Sequence, residues 1–218
     1  MKQVIFLAAI LLNLATFAQS EKYLKAMEAN VAALDSTRSA DAFQDLANSF
    51  ERIAEAEKTQ WLPYYYAALS TVNAGYFLTG GQMGGMADKL DPIADKASQL
   101  LSKAESISAN NSEIFIVKKM IATLRLMADP MSRYMQYGPQ AAQALETAKK
   151  LNPENPRVYY LEAQDKYFTP EQFGGIKTEA VKLFEMALQK FESFKPESSI
   201  HPAWGRRATQ HFLTQAKK

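Results

Sequence analysis

The stretch AAQALETAKKLNPENPRVYYLEAQ, residues 141–164, contains the end of one helix, a turn and the start of the next helix. Ala141, Leu145 and Ala148 are spaced to share one helix face. Pro153 then interrupts the helix, and apolar residues at helical spacing resume after it. Small residues on either side of a large one let a second helix approach closely. The stretch therefore predicts two packed antiparallel helices.

The same small, large, small spacing occurs four times along the chain, with starts 48, 44 and 39 residues apart. Each such helix needs a partner that covers its apolar face, and the preceding segments provide one at residues 21–34, 62–78, 112–128 and 155–168. The sequence therefore predicts an all-α fold of about four helix pairs in series, an α-solenoid. The four instances are Ser49, Ile53, Ala56; Ala97, Leu101, Ala104; Ala141, Leu145, Ala148; and Ala180, Phe184, Ala187.

This pattern resembles the tetratricopeptide-repeat (TPR) family, most closely over residues 144–164. Ala141, Leu145, Ala148 and Pro153 keep that family's second-helix and proline spacing, and Tyr159 falls near its first-helix aromatic position. The resemblance implies a right-handed superhelix whose inner groove binds a partner, and it carries over no catalytic residue. After Pro196, the remaining residues predict a C-terminal capping helix that closes the array.

The repeat units are longer than the roughly thirty-four residues of the TPR family. The excess lies between the first and second helix of each unit, in GYFLTGGQMGG, DPMSRYMQYGP and YFTPEQFGG. A phosphate-binding loop would require a strand before GGQMGG and Lys-Ser or Lys-Thr after it, and neither is present. We therefore interpret the three segments as lengthened turns along one edge of the solenoid, with Pro92, Pro139 and Pro202 opening the helices that follow.

The first eighteen residues, MKQVIFLAAILLNLATFA, have the composition of a signal peptide with cleavage after Ala18, and the apolar run is too short to be a membrane anchor. The chain has no cysteine, which excludes disulfides and thiolate chemistry. We expect a periplasmic or secreted protein without a stable membrane anchor. The predicted organisation is a signal peptide at 1–18, the repeat array at 19–195 and the capping helix at 196–218.

The charge balance argues against nucleic-acid binding, because 25 Lys and Arg face 23 Asp and Glu. The motifs of serine hydrolases, zinc proteases and metal-binding loops are absent from the sequence. His201 and His211 are too far apart for a helical metal pair. We therefore predict a non-enzymatic protein with no catalytic residue, no metal site and no cofactor.

Two groups of residues are candidates for binding contacts. The inserts bring apolar side chains to one edge, including Met86, Met131 and Met135, where they either form a binding surface or fold back onto the helix ends. The consecutive Tyr64, Tyr65 and Tyr66 spread over about 200° of a helix, so we expect that not all three lie in the core. Trp204 anchors the closing helix or contacts a ligand. The predicted contacts are Tyr64, Tyr66, Phe77, Met83, Tyr134, Tyr137, Phe173 and Trp204.

Two functional hypotheses follow. The first is an exported scaffold that binds a protein or peptide of the cell envelope in its groove or along the insert edge. The alternative is a carrier of a small apolar ligand enclosed by the inserts. A cavity lined by the insert aromatics would favour the carrier, and an open groove lined by Tyr64 or Tyr66 would favour the scaffold.

Overall fold

The computed structural model of the protein describes residues 21–218, which are helical with no strand in that range. The predicted signal peptide lies outside the described residues. The first helix, α1, occupies residues 21–34 of the described chain. The remaining elements are α2 (Ala40–Ala56), α3 (Trp61–Thr79), α4 (Ala87–Ile107), α5 (Ser112–Ala128), α6 (Pro130–Leu151), α7 (Pro156–Phe168), a 3₁₀ turn (Glu171–Phe173), α8 (Lys177–Ser193) and α9 (Arg206–Ala216).

The helices pack as sequence neighbours, as expected for repeated pairs. α3 lies between α2 and α4 and also contacts α5, while α5 packs most extensively on α6 and α7 on α8. The last helix, α9, packs against α8. The predicted all-α, solenoid-like fold is confirmed.

The predicted register holds in three pairs and is wrong in the first. The residues predicted to face a partner in α4, α6 and α8 are all buried. In α2, however, Ala56 is exposed and Ser49 is only half-buried, whereas Ala47 and Ala54 lie in the core. The spacing of seven between small residues is correct, but the face begins two residues earlier. Phe50, which is fully buried, is the large residue on that face.

The second insert is a helix and not a loop. α6 begins at Pro130, separated from the end of α5 by Asp129 alone, and Pro139 lies inside it. Pro92 likewise lies inside α4 and does not open it. The prediction of turns is correct for the GGQMGG segment, where Gly80 ends α3 in the left-handed conformation at φ 56°.

The three consecutive tyrosines are all buried, so the expectation that they would not all lie in the core is wrong. Tyr64 lies near Lys103 of α4, with the ammonium 5.5 Å from the ring centroid. Tyr66 stacks on Phe50 of α2 at 5.0 Å. Residues 194–205, which we call the strap, cover Tyr65 and Tyr66 from a further side. The Tyr66 hydroxyl donates to the Ile200 carbonyl of the strap at 3.0 Å.

The strap lies over a buried polar network at the amino-terminal ends of α3, α5 and α7. The Arg157 guanidinium, with none of its side chain exposed, donates to both carboxylate oxygens of Glu113 at 2.6–3.0 Å. Tyr65 and Asn155 also donate to this carboxylate. The Trp204 indole of the strap donates to the Tyr65 hydroxyl at 2.8 Å. Burial and the nearby Glu113 charge raise the pKa of Tyr65 well above its usual value.

Candidate functional site

The two edges of the solenoid differ in composition. The amino-terminal ends of α3, α5 and α7 lie at the strapped edge, where the strap and the polar network are found. Their carboxyl-terminal ends, with the segments that follow them, lie at the opposite edge. There, large apolar side chains are exposed to solvent. We call this surface the apolar edge; its exposed members are Phe77, Leu78, Met83, Met131, Tyr134, Met135, Phe168, Phe173 and Ile176.

The outer half of α6 contributes Met131, Tyr134 and Met135, which we call the α6 stripe. Met131 and Tyr134 continue the helix face that is buried further along at Ala141, because these positions are separated by three or seven residues. α7 has 13 residues and α6 has 22, so α7 ends well before the outer turns of α6. The stripe is therefore uncovered, with 95% of Met131 and 83% of Met135 exposed.

An ion pair with α4 holds the outer half of α6 in place. The Arg133 guanidinium donates to both oxygens of Asp91 at 2.6 and 2.8 Å and to the Arg125 carbonyl at 3.3 Å. Hydrogen bonding from Arg133 lowers the pKa of Asp91 below its usual value. Tyr134 lies over its own helix, its ring atoms 3.4–3.8 Å from the position of a Cβ on Gly138. The stripe is thus presented on an anchored helix.

The α3–α4 loop lies against the end of α5. The Gly84 N–H donates to the Met127 carbonyl at 2.8 Å, and the Met86 N–H donates to the Ala128 carbonyl at 3.2 Å. Gly84 has φ 89°, which a glycine adopts without strain. Phe77 packs on Phe43 of α2, with ring centroids 5.2 Å apart. These contacts place the GGQMGG turn beside the start of α6.

The α7–α8 connection supplies the third part of the apolar edge. Phe168 packs edge-on against Phe212 of α9 at 5.5 Å, yet more than half of its side chain is exposed. Phe173 and Ile176 follow it and are exposed as well. The next residue, Lys177, is exposed and makes no ion pair among residues 21–218. An unpaired cation therefore lies beside the exposed apolar groups.

The eight predicted contact residues fall in different places. Phe77, Met83, Tyr134 and Phe173 are exposed on the apolar edge. Tyr137 is half-buried beneath the Arg125 guanidinium at 5.9 Å. Tyr64 and Tyr66 are core residues and Trp204 anchors the strap, so these three lie away from the apolar edge.

Leu78, Phe168, Ile176 and Lys177 were missed by the sequence analysis. The signal that could have found Phe168, Ile176 and Lys177 is the shortness of α7, which ends at the Thr169-Pro170 break. No such signal marks Leu78, which lies in the last turn of α3.

The side chains of the apolar edge form an open surface, whereas the carrier hypothesis expects the inserts to enclose the ligand. Two clefts lie elsewhere. One of about 370 Å³ lies between α4, α5 and α6, and one of about 400 Å³ adjoins the strap.

His201 hydrogen-bonds to Ser198, and its imidazole lies 3.2 Å from the Glu197 carboxylate at the strapped edge. Within residues 21–218 no three His, Asp or Glu side chains converge as a metal site.

None of the helices within residues 21–218 combines the length and the hydropathy needed to cross a bilayer.

No family model matches the sequence, so membership of the TPR family stays a prediction. No curated protein matches it either. Among solved structures, the chain is similar to the HusA haemophore from Porphyromonas gingivalis, with a TM-score of 0.77 and 33% sequence identity. The match covers 89% of this chain and 92% of that protein. At this identity and coverage, the chain belongs to the protein family that includes the HusA haemophore.

Proposed function

We propose that this protein is an exported, non-enzymatic carrier that binds haem or a related porphyrin on the apolar edge. The relationship to a haemophore supports a small planar ligand over a protein partner. The observation that carries the assignment to this surface is the uncovered α6 stripe, flanked by exposed apolar groups from two neighbouring connections. Large exposed apolar surfaces on a soluble protein mark binding sites.

The chemistry of the apolar edge suits a porphyrin. The flat face of the ring is apolar and polarisable, and methionine and aromatic side chains make favourable contacts with such a surface. Covering an exposed apolar side chain completely contributes at most about 1.5–3 kcal/mol, and part of this gain is offset by the freedom that the ligand loses on binding. Several members of the apolar edge must therefore contact the ligand to reach a micromolar dissociation constant, which corresponds to a binding free energy of about 8 kcal/mol. The Lys177 ammonium can pair with a carboxylate at the rim of the porphyrin.

The scaffold hypothesis has less support. The tyrosines that were expected to line its groove, Tyr64 and Tyr66, are buried beneath neighbouring helices and the strap. The described residues that form the open apolar surface lie at the other edge. Binding at the apolar edge requires no group from the strapped edge.

The proposal is tested by titrating haem into the purified protein and following the haem absorbance band. We expect a dissociation constant in the micromolar range or tighter. The double variant Met131→Gln/Met135→Gln keeps the side-chain length but introduces amides at the contact, and we expect affinity to fall by about tenfold or more. The matched control is Met186→Gln, the same substitution at an exposed methionine of α8 that lies outside the apolar edge.

A second variant tests the charged rim. Lys177→Glu replaces the positive charge beside Ile176 by a negative one. We expect this change to weaken haem binding by about two- to tenfold, and by more at low salt than at high salt. Absence of haem binding to the unchanged protein would refute the proposed function. An equal loss of haem affinity in Met186→Gln and in Met131→Gln/Met135→Gln would refute the location of the binding site on the apolar edge.

A further inference from the structure

The two most exposed large apolar side chains among residues 21–218 are both methionines, and both belong to the α6 stripe. Met131 and Met135 are 95% and 83% exposed and lie one helical turn apart. Met27 and Met120, by contrast, are buried in the core, at 0% and 4% exposure. A dissolved oxidant therefore reaches the two thioethers of the stripe far more readily than those that stabilise the fold.

A thioether exposed in this way reacts with peroxides. The sulfur lone pair attacks one peroxide oxygen, the O–O bond breaks, and that oxygen stays on sulfur as the sulfoxide. The second oxygen leaves as water or an alcohol, so sulfur is oxidised by two electrons and the peroxide is reduced by two. The product is a polar, chiral side chain that methionine sulfoxide reductases return to the thioether.

We propose that Met131 and Met135 form a reversible oxidation site at which peroxide weakens ligand binding on the apolar edge. The inference rests on the proposed function, because it concerns the regulation of the same surface. A sulfoxide needs hydrogen-bond partners that the flat face of an apolar ligand does not offer. Since neither side chain lies in the core, oxidation changes the binding surface and leaves the packing of the helices intact.

The experiment treats the purified protein with hydrogen peroxide and removes the peroxide with catalase before haem is added. Peptide mass spectrometry locates the added oxygen atoms, and haem titration gives the affinity before and after treatment. We expect Met131 and Met135 to be oxidised first and the affinity to fall by about tenfold or more. Treatment with both stereospecific reductases should restore it. Far-UV circular dichroism should stay unchanged throughout.

The variant Met131→Leu/Met135→Leu separates the stripe from other oxidisable groups. Leucine is apolar but has no sulfur, so the ratio of affinities before and after peroxide should be close to one in this variant, whatever its starting affinity. An equal peroxide-induced loss in this variant would overturn the inference, as would affinity that stays low after reduction.

The inference and the proposed function fail in different ways. Haem binding that survives oxidation of both methionines would overturn the inference and leave the proposed function standing. A protein that binds no haem before any treatment would overturn both.

Discussion

The two edges of this solenoid contain similar aromatic residues, which are buried at one edge and exposed at the other. At the strapped edge, Tyr65 and Trp204 are covered, and their polar atoms hydrogen-bond to one another and to Glu113. At the apolar edge, Tyr134 and Phe173 are exposed, and α7 ends too early to cover the face that Tyr134 shares with the core of α6. The aromatic content of a segment therefore does not distinguish core from surface. What distinguishes them is whether another segment of the chain reaches far enough to cover them.

The largest expected difference concerns the buried ion pair of the strapped edge. Replacing Glu113 by Ala leaves the Arg157 guanidinium buried without a counter-charge, and we expect the free energy of unfolding to fall by about 3–5 kcal/mol. Met131→Ala, on the apolar edge, should change it by less than about 0.5 kcal/mol. Urea denaturation of both variants measures this contrast.

A control separates the lost pair from the orphaned charge. Adding Arg157→Met to Glu113→Ala removes the buried cation, and part of the lost stability should return. A double variant that is less stable than Glu113→Ala alone would show that the orphaned charge is not the main cost.

An intermediate loss of stability is expected when Ala replaces a glycine in the left-handed conformation, and each edge contains one for comparison. Gly205 has φ 107°, and a Cβ there would lie 3.1 Å from Phe191 and 3.6 Å from Arg157. Gly81 has φ 86°, but a Cβ there would meet no atom within 4 Å. Substitution by Ala should therefore cost about 2–3 kcal/mol at Gly205, from strain and crowding, and about 1–2 kcal/mol at Gly81, from strain alone. Thermal unfolding of the two variants tests this order, and a larger cost at Gly81 would contradict it.

The smallest effect is expected from the ion pair that holds the outer half of α6. The pKa of Asp91 is lowered in the folded state, so its pairing with Arg133 stabilises the fold above the unfolded-state value of about 3.9 and this contribution is lost as the pH falls below it. Asp91→Asn should cost about 0–1 kcal/mol at pH 7 and less at pH 3. Denaturant titrations at both pH values measure the difference, and a cost that is equal at the two would contradict the assignment.

The architecture could be predicted from the sequence because the spacing of small residues encodes how closely helices approach. The buried positions of α4, α6 and α8 follow from that spacing. The expected positions are wrong in α2. There the large buried residue is Phe50, three positions after Ala47, and not Ile53, four positions after Ser49. The expectation that the second insert is a turn is wrong because it places a helix start at Pro139, whereas this proline is accommodated inside α6.

Half of the predicted contacts lie on the apolar edge, and the others are absent from it for a physical reason. Tyr66 is buried because residue 200, far away in the sequence, covers it. The exposure of Phe168 depends on where α7 stops relative to α6. Both facts come from the relative positions of distant segments, which helical periodicity within a single segment does not encode.

The strap also determines the order in which the protein can be completed. Arrays in which each unit contacts only its neighbours can form progressively from either end. Here the Ile200 carbonyl accepts from Tyr66, and Ser199 donates to Glu28 across 171 positions of the chain. A chain that emerges amino terminus first, from a ribosome or a translocation channel, therefore cannot bury Tyr65 and Tyr66 fully until the strap has followed. Completion of this part of the core depends on residues at least 134 positions further along the chain.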